Sequence, residues 1–413
     1  MSAANAICVL AISWLTTSLT ACSFVDDFTP RQYSLNIHSQ DALNQETLLN
    51  IIRASRFQPL NFIGISQLTG GQSEDFRIGL PTIAFGPSPN GMAREFAFSG
   101  NIIDSSASAG FTMNPLISTN FQRAMLTPVS QNTLADLTVS YPREAVFYMA
   151  IARVKLTRGK AVSVFHNDPG NDRDYTDKTG TIIPCKDIFA QHMDDAKLNP
   201  HRRLAEITSE LYLPENDRYC SFSKFVAVMR IALSYGLTAT RVTPASPAKD
   251  SASTESSSGG QSGPLGRLCF EAGLADLAKR AIVLKMDNRC DSPNFPQNFA
   301  FPFPGAMLEF EIDLRSPSSV FGYIGSLIRN NKAYAIQYIR PEFTELSSEP
   351  FVNIVRARNA GCIVDIAYLD EEYCIPNEAS LNTGIVLQIL QALRNLSISP
   401  TDLNTPFSVR VVQ

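Results

Sequence analysis

The sequence predicts an α+β fold: mixed helices and mostly antiparallel sheets, in two domains joined by a Ser/Gly/Pro-rich linker. Three observations carry that expectation. Helix-period and strand-period apolar patterns intermix along the chain, with no glycine fingerprint after a strand, so a nucleotide-binding doubly wound sheet is not expected. Met307 to Leu314 places Leu308, Phe310, Ile312 and Leu314 on one face and Glu309, Glu311 and Asp313 on the other, as a half-solvated strand does. Thr243 to Pro264 (TPASPAKDSASTESSSGGQSGP) holds no aromatic residue and no aliphatic residue larger than alanine. Such a stretch cannot recover its ordering entropy, and a loop of that length within one compact domain is unusual. The expected division is therefore residues 31–242, a linker over 243–264, and residues 265–413.

The elements follow in order. Glu46 to Ser55 puts Leu48, Ile51 and Ile52 on one helical face. Leu60 to Ser66 and Thr82 to Phe85 read as strands, and Gly-Pro-Ser-Pro-Asn-Gly at 86–91 as a turn. Glu144 to Val154 is apolar nearly all round, a buried element whose type periodicity leaves open. His166 to Gly180 reads as an exposed polar loop. Ser223 to Tyr235 carries Phe225, Met229 and Leu233 on a helical stripe, with Gly236 placed as the left-handed residue that follows. Ser316 caps a helix that has Pro317 at its first position and Val320, Ile324, Leu327 and Ile328 toward the core. Strands are expected at Ala335–Arg340, Phe351–Arg356 and Cys362–Tyr368, a helix through Ile385, Ile389 and Leu393, and a last strand over Phe407–Val412. Asp370-Glu371-Glu372 reads as a turn.

The chain has 413 residues, 44% hydrophobic and 18% charged, enough to bury a full core. A net charge of −4 supplies no basic field for nucleic acid or for anionic lipid headgroups. No partner nucleic acid or nucleotide is expected.

The first residues carry the most specific signal. Ala6 to Leu15 is almost wholly apolar, Thr16-Thr17-Ser18 breaks the run, and Leu19-Thr20-Ala21-Cys22 closes it. The apolar core is about half the length that spans a bilayer, so it reads as a secretory h-region. The ending resembles the lipobox of bacterial lipoproteins. The resemblance covers residues 1–22 alone and implies cleavage between Ala21 and Cys22, diacylglyceryl transfer to the Cys22 thiol, and a mature chain tethered to membrane by lipid. Residues 22–30 would form the tether. Met1 to Asn5 holds no Lys or Arg, so only the α-amino charge would orient insertion. Ser23 follows where the class carries a retention aspartate, and the class sorting rule then favours the outer membrane.

Of eight cysteines, Cys8 leaves with the signal and Cys22 goes to lipid. The remaining Cys185, Cys220, Cys269, Cys290, Cys362 and Cys374 fit three disulfides in an oxidising envelope. Six cysteines admit fifteen pairings, which the sequence leaves open; sequential pairing is the economical expectation. None of these spacings is a zinc pattern.

No catalytic, cofactor-binding or metal-ligating set emerges. Asp177-Lys178-Thr179-Gly180-Thr181 matches the phosphorylation pentapeptide of P-type ion pumps. That chemistry needs the Asp at the end of a buried strand and a second carboxylate for Mg²⁺, whereas here the preceding residues are polar and the chain contains no Gly-Asp dipeptide. Asp168, Asn171, Asp172, Asp174 and Asp177 crowd one loop without the EF-hand's glycine and closing glutamate. Glu309, Glu311 and Asp313 read as a strand's solvent side before they read as paired acids. His38, His166, His192 and His201 are scattered, with Asp194 and Asp195 beside His192. The expected function is that of a lipid-anchored envelope scaffold or protein-interaction component, bound to membrane through its lipid and to a protein partner. An envelope hydrolase, metal-assisted or not, and a ligand-binding lipoprotein are the alternatives.

Overall fold

The computed structural model describes residues 28–72, 107–176, 179–183, 185, 219–242, 265–292, 300–303, 306–333, 336, 349–356 and 361–399. The expected strands at Thr82–Phe85 and Phe407–Val412, the turn at 86–91, the linker at 243–264 and nearly all of Ala335–Arg340 lie outside them. Within them the fold is α+β, with helices packed on antiparallel sheets.

The first helix, α1 (Phe28–Ser55), is far longer than the stretch from Glu46 that its apolar stripe marks. Leu48, Ile51 and Ile52 are fully buried at its C-terminal end, while Tyr33, Asn36, Ile37 and His38 upstream are exposed. Periodicity registers only the buried half. Strand β1 (Ile63–Gln72) begins three residues later than expected and pairs antiparallel with β2 (Ala107–Pro115), with a bulge between Ile65 and Gln67. Two short helices follow, each opened by a serine: Ser118 accepts from Phe121 N to start α2 (Thr119–Leu126), and Ser130 accepts from Thr133 N to start α3 (Gln131–Ser140).

The apolar run from Glu144 divides in two. Residues Arg143–Ala150 form α4, buried from Ala145 to Ala150, and Ile151–Arg158 form β3. From there β3 turns back into β4 (Ala161–His166). Its other edge pairs with β10 (Ala306–Leu314), where Phe310 faces Leu156 and Ile312 faces Val154, and β9 (Ala300–Phe303) lies beyond. The four-stranded order β4-β3-β10-β9 thus joins residues 151–166 to residues 300–314 in one sheet. Within the stretch expected as an open loop, the two-residue strand β5 (Tyr175–Thr176) pairs with β6 (Ile182–Ile183), which lies just beyond it.

Helix α5 (Ser221–Ser234) buries Phe222, Phe225 and Met229, and Gly236 follows in the left-handed region at φ +83. A Cβ there would lie 2.2 Å from the Glu271 carbonyl oxygen, so glycine is needed on both counts. Next come β7 (Leu237–Val242) and β8 (Leu265–Phe270), antiparallel to each other from Leu237↔Phe270 to Val242↔Leu265. The two expected domains, 31–242 and 265–413, therefore share a sheet, and residues 243–264 connect two strands that pair directly. The composition of that stretch says that it gains little by ordering; it says nothing of what its ends do. Loop-closure entropy grows slowly with length, so a long connection between neighbouring strands costs little more than a short one.

The C-terminal part adds α6 (Arg280–Val283), α7 (Pro317–Arg329), the hairpin β11 (Cys362–Tyr368) with β12 (Glu371–Pro376), and α8 (Leu381–Leu396). Ser316 caps α7 through Ser319 N, as expected. The expected turn at Asp370-Glu371-Glu372 lies one residue earlier, at Leu369-Asp370, where φ is +50 and +62. Residues Phe351–Arg356 do not form a strand; only Val355 bridges to Cys374.

One core draws on every part of the described chain, including Leu48, Phe147, Phe225, Phe270, Phe321 and Leu390. Phe62 packs edge-on against Phe121 and Phe321, with ring centroids 5.8 and 5.3 Å apart. Helices α1 and α7 cross in close contact at Gly325, where a Cβ would stand 2.5 Å from Ser55 N and 2.7 Å from Ala54 C. The obstructing atoms are backbone and cannot swing aside. Gly325→Ala is therefore expected to lower stability by about 1–3 kcal/mol, the range of overpacked cores, read as a lower urea midpoint.

The structure closes the three sequential cysteine pairs, Cys185–Cys220, Cys269–Cys290 and Cys362–Cys374, with Cα separations of 5.3, 4.9 and 5.7 Å.

Candidate functional site

A polar concavity forms where α4 ends and β3 begins. The carbonyls of Tyr148, Met149 and Ala150 have no partner within α4, because the last turn of a helix leaves its carbonyls unpaired. Arg315, between β10 and α7, fills the gap. Its backbone N–H donates to Ala150 O at 2.7 Å. Its guanidinium donates to Met149 O at 3.1 Å, to Ile151 O at 2.6 Å, to Tyr148 O at 3.5 Å and to Asn167 O. The side-chain amide of Asn167 adds bonds of 2.8 Å to Tyr148 O and Ile151 O. A cation at a helix C-terminus is also favoured by the helix dipole.

Arg315 is only 8% exposed, and its guanidinium lies 4.0 Å from the Tyr323 ring centroid. Burial pushes its pKa down to about 10, still well above neutrality, so it keeps its charge. The same burial raises the Tyr323 hydroxyl and pushes that of Tyr148 up to about 12. Tyr323 therefore stays protonated and can serve as a hydrogen-bond donor. Its hydroxyl is set beside the Asn167 side chain, and both are buried.

These groups line a shallow depression of about 290 Å³ whose wall also carries His166, Asp168 and Arg329. Asp168 Oδ1 accepts from Gly170 N at 3.0 Å. The arrangement can recognise a polar or anionic group through Tyr323 and Arg329. The Arg315 guanidinium itself is engaged with carbonyls, so it supplies field more than contact.

The carboxylates weighed from sequence are placed differently. Glu311 meets Lys155 at 2.7 Å and Asp313 meets Arg153, cross-strand pairs on the exposed face of β10 and β3. Glu309 lies on the same exposed face. Asp172, expected on a solvated loop, has a side chain only 1% exposed. It accepts from Ser223 Oγ at 2.7 Å and Ser223 N at 3.2 Å, and Lys332 Nζ is 3.3 Å away. It thus caps α5 from across the fold, and Asp174 accepts from Cys185 N at 3.0 Å. These two acids hold the fold together. His38 is exposed on α1, remote in the chain from His166. Among the described residues no three His, Cys, Asp or Glu side chains group closely enough to hold a metal ion. Ala21, Cys22, Asp177, His192, Asp194, Asp195 and His201 lie outside the described residues.

Sequence reasoning missed Arg315, Tyr323 and Asn167. One signal was available: an arginine wedged between the last apolar residue of a strand, Leu314, and a helix cap, Ser316. No family model, no curated protein and no solved structure matches this chain.

Proposed function

We propose that this chain is a lipid-anchored cell-envelope protein, held on the outer membrane through Cys22 and acting as a non-enzymatic scaffold or protein-interaction component. The observation that carries the reading is the ending Leu19-Thr20-Ala21-Cys22 after a short apolar run. The three disulfides support it, since such bonds persist in exported proteins and are rare in a reducing cytosol. Helix α1 opens at Phe28, six residues after Cys22. Six extended residues reach about 20 Å at most, so a lipid on Cys22 would hold the start of α1 close to the bilayer surface. Two or three acyl chains make such attachment effectively permanent, at about 0.8 kcal/mol for each buried methylene.

A ligand-binding lipoprotein is the second reading, favoured by the depression in which Tyr323, Arg329, His166 and Asp168 meet. At about 290 Å³ that depression lies at the lower edge of small-molecule sites, and its lining is polar where such sites are mostly apolar. A flatter recognition surface suits it better.

Replacing Cys22 by Ser and separating membrane from soluble fractions tests the anchor. The parent chain is expected in the outer-membrane fraction, lighter by its signal and labelled by radioactive palmitate. Cys22→Ser is expected to lose the label and the processing. Unchanged processing and membrane retention in the variant would overturn the anchor.

A further inference from the structure

Where α1 ends, three arginines stack on three aromatic rings. Arg329 lies 3.9 Å from the Phe57 ring centroid, Arg53 5.7 Å from that of Tyr368, and Arg56 5.7 Å from that of Tyr373. Arg356, 73% exposed, lies on the same side, 3.7 Å from Glu371. Two of these four arginines, Arg56 and Arg356, pair with the Glu371 carboxylate, in a chain whose net charge is −4. Of the other acids of the β11–β12 hairpin, Asp370 stands exposed in the turn beside Glu371. Glu371 and Tyr373 share the face turned to α1, and strand alternation puts Asp365 and Glu372 on the opposite face. The β11–β12 hairpin thus turns Asp365 and Glu372 outward and Tyr368, Tyr373 and Glu371 toward the arginines.

Phe57 is the unusual member. It is 81% exposed, yet its φ is +58, a backbone region that a bulky side chain enters at a cost of about 1–2 kcal/mol. Phe57 N donates to Ala54 O at 3.2 Å and Gln58 N to Arg53 O at 2.9 Å, the bonding pattern of a Schellman cap. Glycine would make this cap with no strain. A phenylalanine there projects a ring into solvent with a guanidinium fixed across it, while Arg329 Nη1 is held by Ser55 O at 3.1 Å. Arg329 also lines the depression described above, so the two features are continuous.

We propose that this arginine–aromatic face, centred on Phe57 and Arg329, is a docking surface for an acidic segment of a partner protein. Charge complementarity selects the occupant: planar guanidiniums pair bidentately with carboxylates. Stacking has already restricted their rotamers, which lowers the entropic cost of ordering on binding. Exposed aromatic and arginine side chains in close contact are also the composition of interface hot spots. The inference rests on the protein-interaction half of the reading above and is independent of the lipid anchor.

The test uses the mature chain with Cys22→Ser, so that no lipid contributes. The probes are synthetic peptides rich in Asp and Glu with interspersed Leu, the same peptides with every acid replaced by Asn or Gln, and phosphatidylcholine vesicles with and without phosphatidylglycerol. Acidic peptides are expected to bind in a salt-sensitive way and their amide counterparts not to. Phe57→Gly and Arg329→Glu are each expected to weaken binding by about tenfold or more, with Phe57→Gly unfolding at the same or a higher temperature. Failure of the acidic peptides to bind, binding by both variants as tight as by the parent, or capture by anionic vesicles alone would overturn the proposal. Because the anchor is read separately by fractionation, either result can fail without the other.

Discussion

Arg315→Ala is expected to lower the stability of the fold by about 3–5 kcal/mol, seen as a fall in urea midpoint at unchanged slope. The magnitude follows from what the guanidinium holds. It reaches the carbonyls of Tyr148, Met149, Ile151 and Asn167, all in a region where α4 and β3 are buried. Asn167 still serves Tyr148 O and Ile151 O after the change, so these two lose less. Met149 O and Asn167 O lose this donor outright, at about 1–3 kcal/mol each. The cavity beside Tyr323 adds to the loss, and relief of the buried cation's desolvation subtracts from it. Since whole domains are stable by about 5–15 kcal/mol, such a change takes a large share. Arg315→Lys keeps the charge near the helix end but not the planar fork, and is expected to recover only part of the loss. A cost near zero for both variants would show that the carbonyls find other partners and that Arg315 is not the cap.

The parts of this fold that the sequence announced are those whose signals are local. Ser316-Pro317 starts α7 because a serine cap and a proline at the first turn need no distant partner. Likewise, the alternation in Met307–Leu314 yields β10, since one face is buried and the other meets Lys155 and Arg153. Gly236 marks the end of α5 through its own backbone freedom. What stayed hidden depends on tertiary partners. The run from Glu144 carries no period because helix and strand halves are both buried, so nothing in it marks the change at Ala150/Ile151. Helices α2 and α3 are short, with a serine cap as their main local signal, and were not anticipated. The N-terminal half of α1 is largely polar, so no apolar stripe shows it. The candidate site was the least legible part: Asp172 looked solvated by composition and is buried by Ser223 and Lys332, while Arg315, which caps a core helix, was passed over.

Reduction of the three disulfides is expected to unfold the chain, and loop length sets how much each contributes. The bonded cysteines are 35, 21 and 12 residues apart for Cys185–Cys220, Cys269–Cys290 and Cys362–Cys374. The chain-entropy relation gives about 4, 3 and 3 kcal/mol in that order, and their sum of about 10 kcal/mol is comparable to the whole stability of an ordinary domain. Tertiary context sharpens the order. Cys362 and Cys374 belong to strands that already pair over Val364↔Ile375 to Tyr368↔Glu371, so residual hairpin structure in the unfolded chain would reduce the effect. Cys220 stands at φ +52 as the first residue before α5, and Cys185 is bonded to it from a stretch held by Asp174. Losing that bond frees the end of a helix that buries Phe222, Phe225 and Met229. Paired Cys→Ala variants should therefore fall in stability most for 185/220 and least for 362/374, measured by urea unfolding of chains exported to an oxidising compartment. The reverse order would place the stabilisation in the native contacts of the hairpin and not in the unfolded chain. A fold that survives dithiothreitol would show that the core alone suffices.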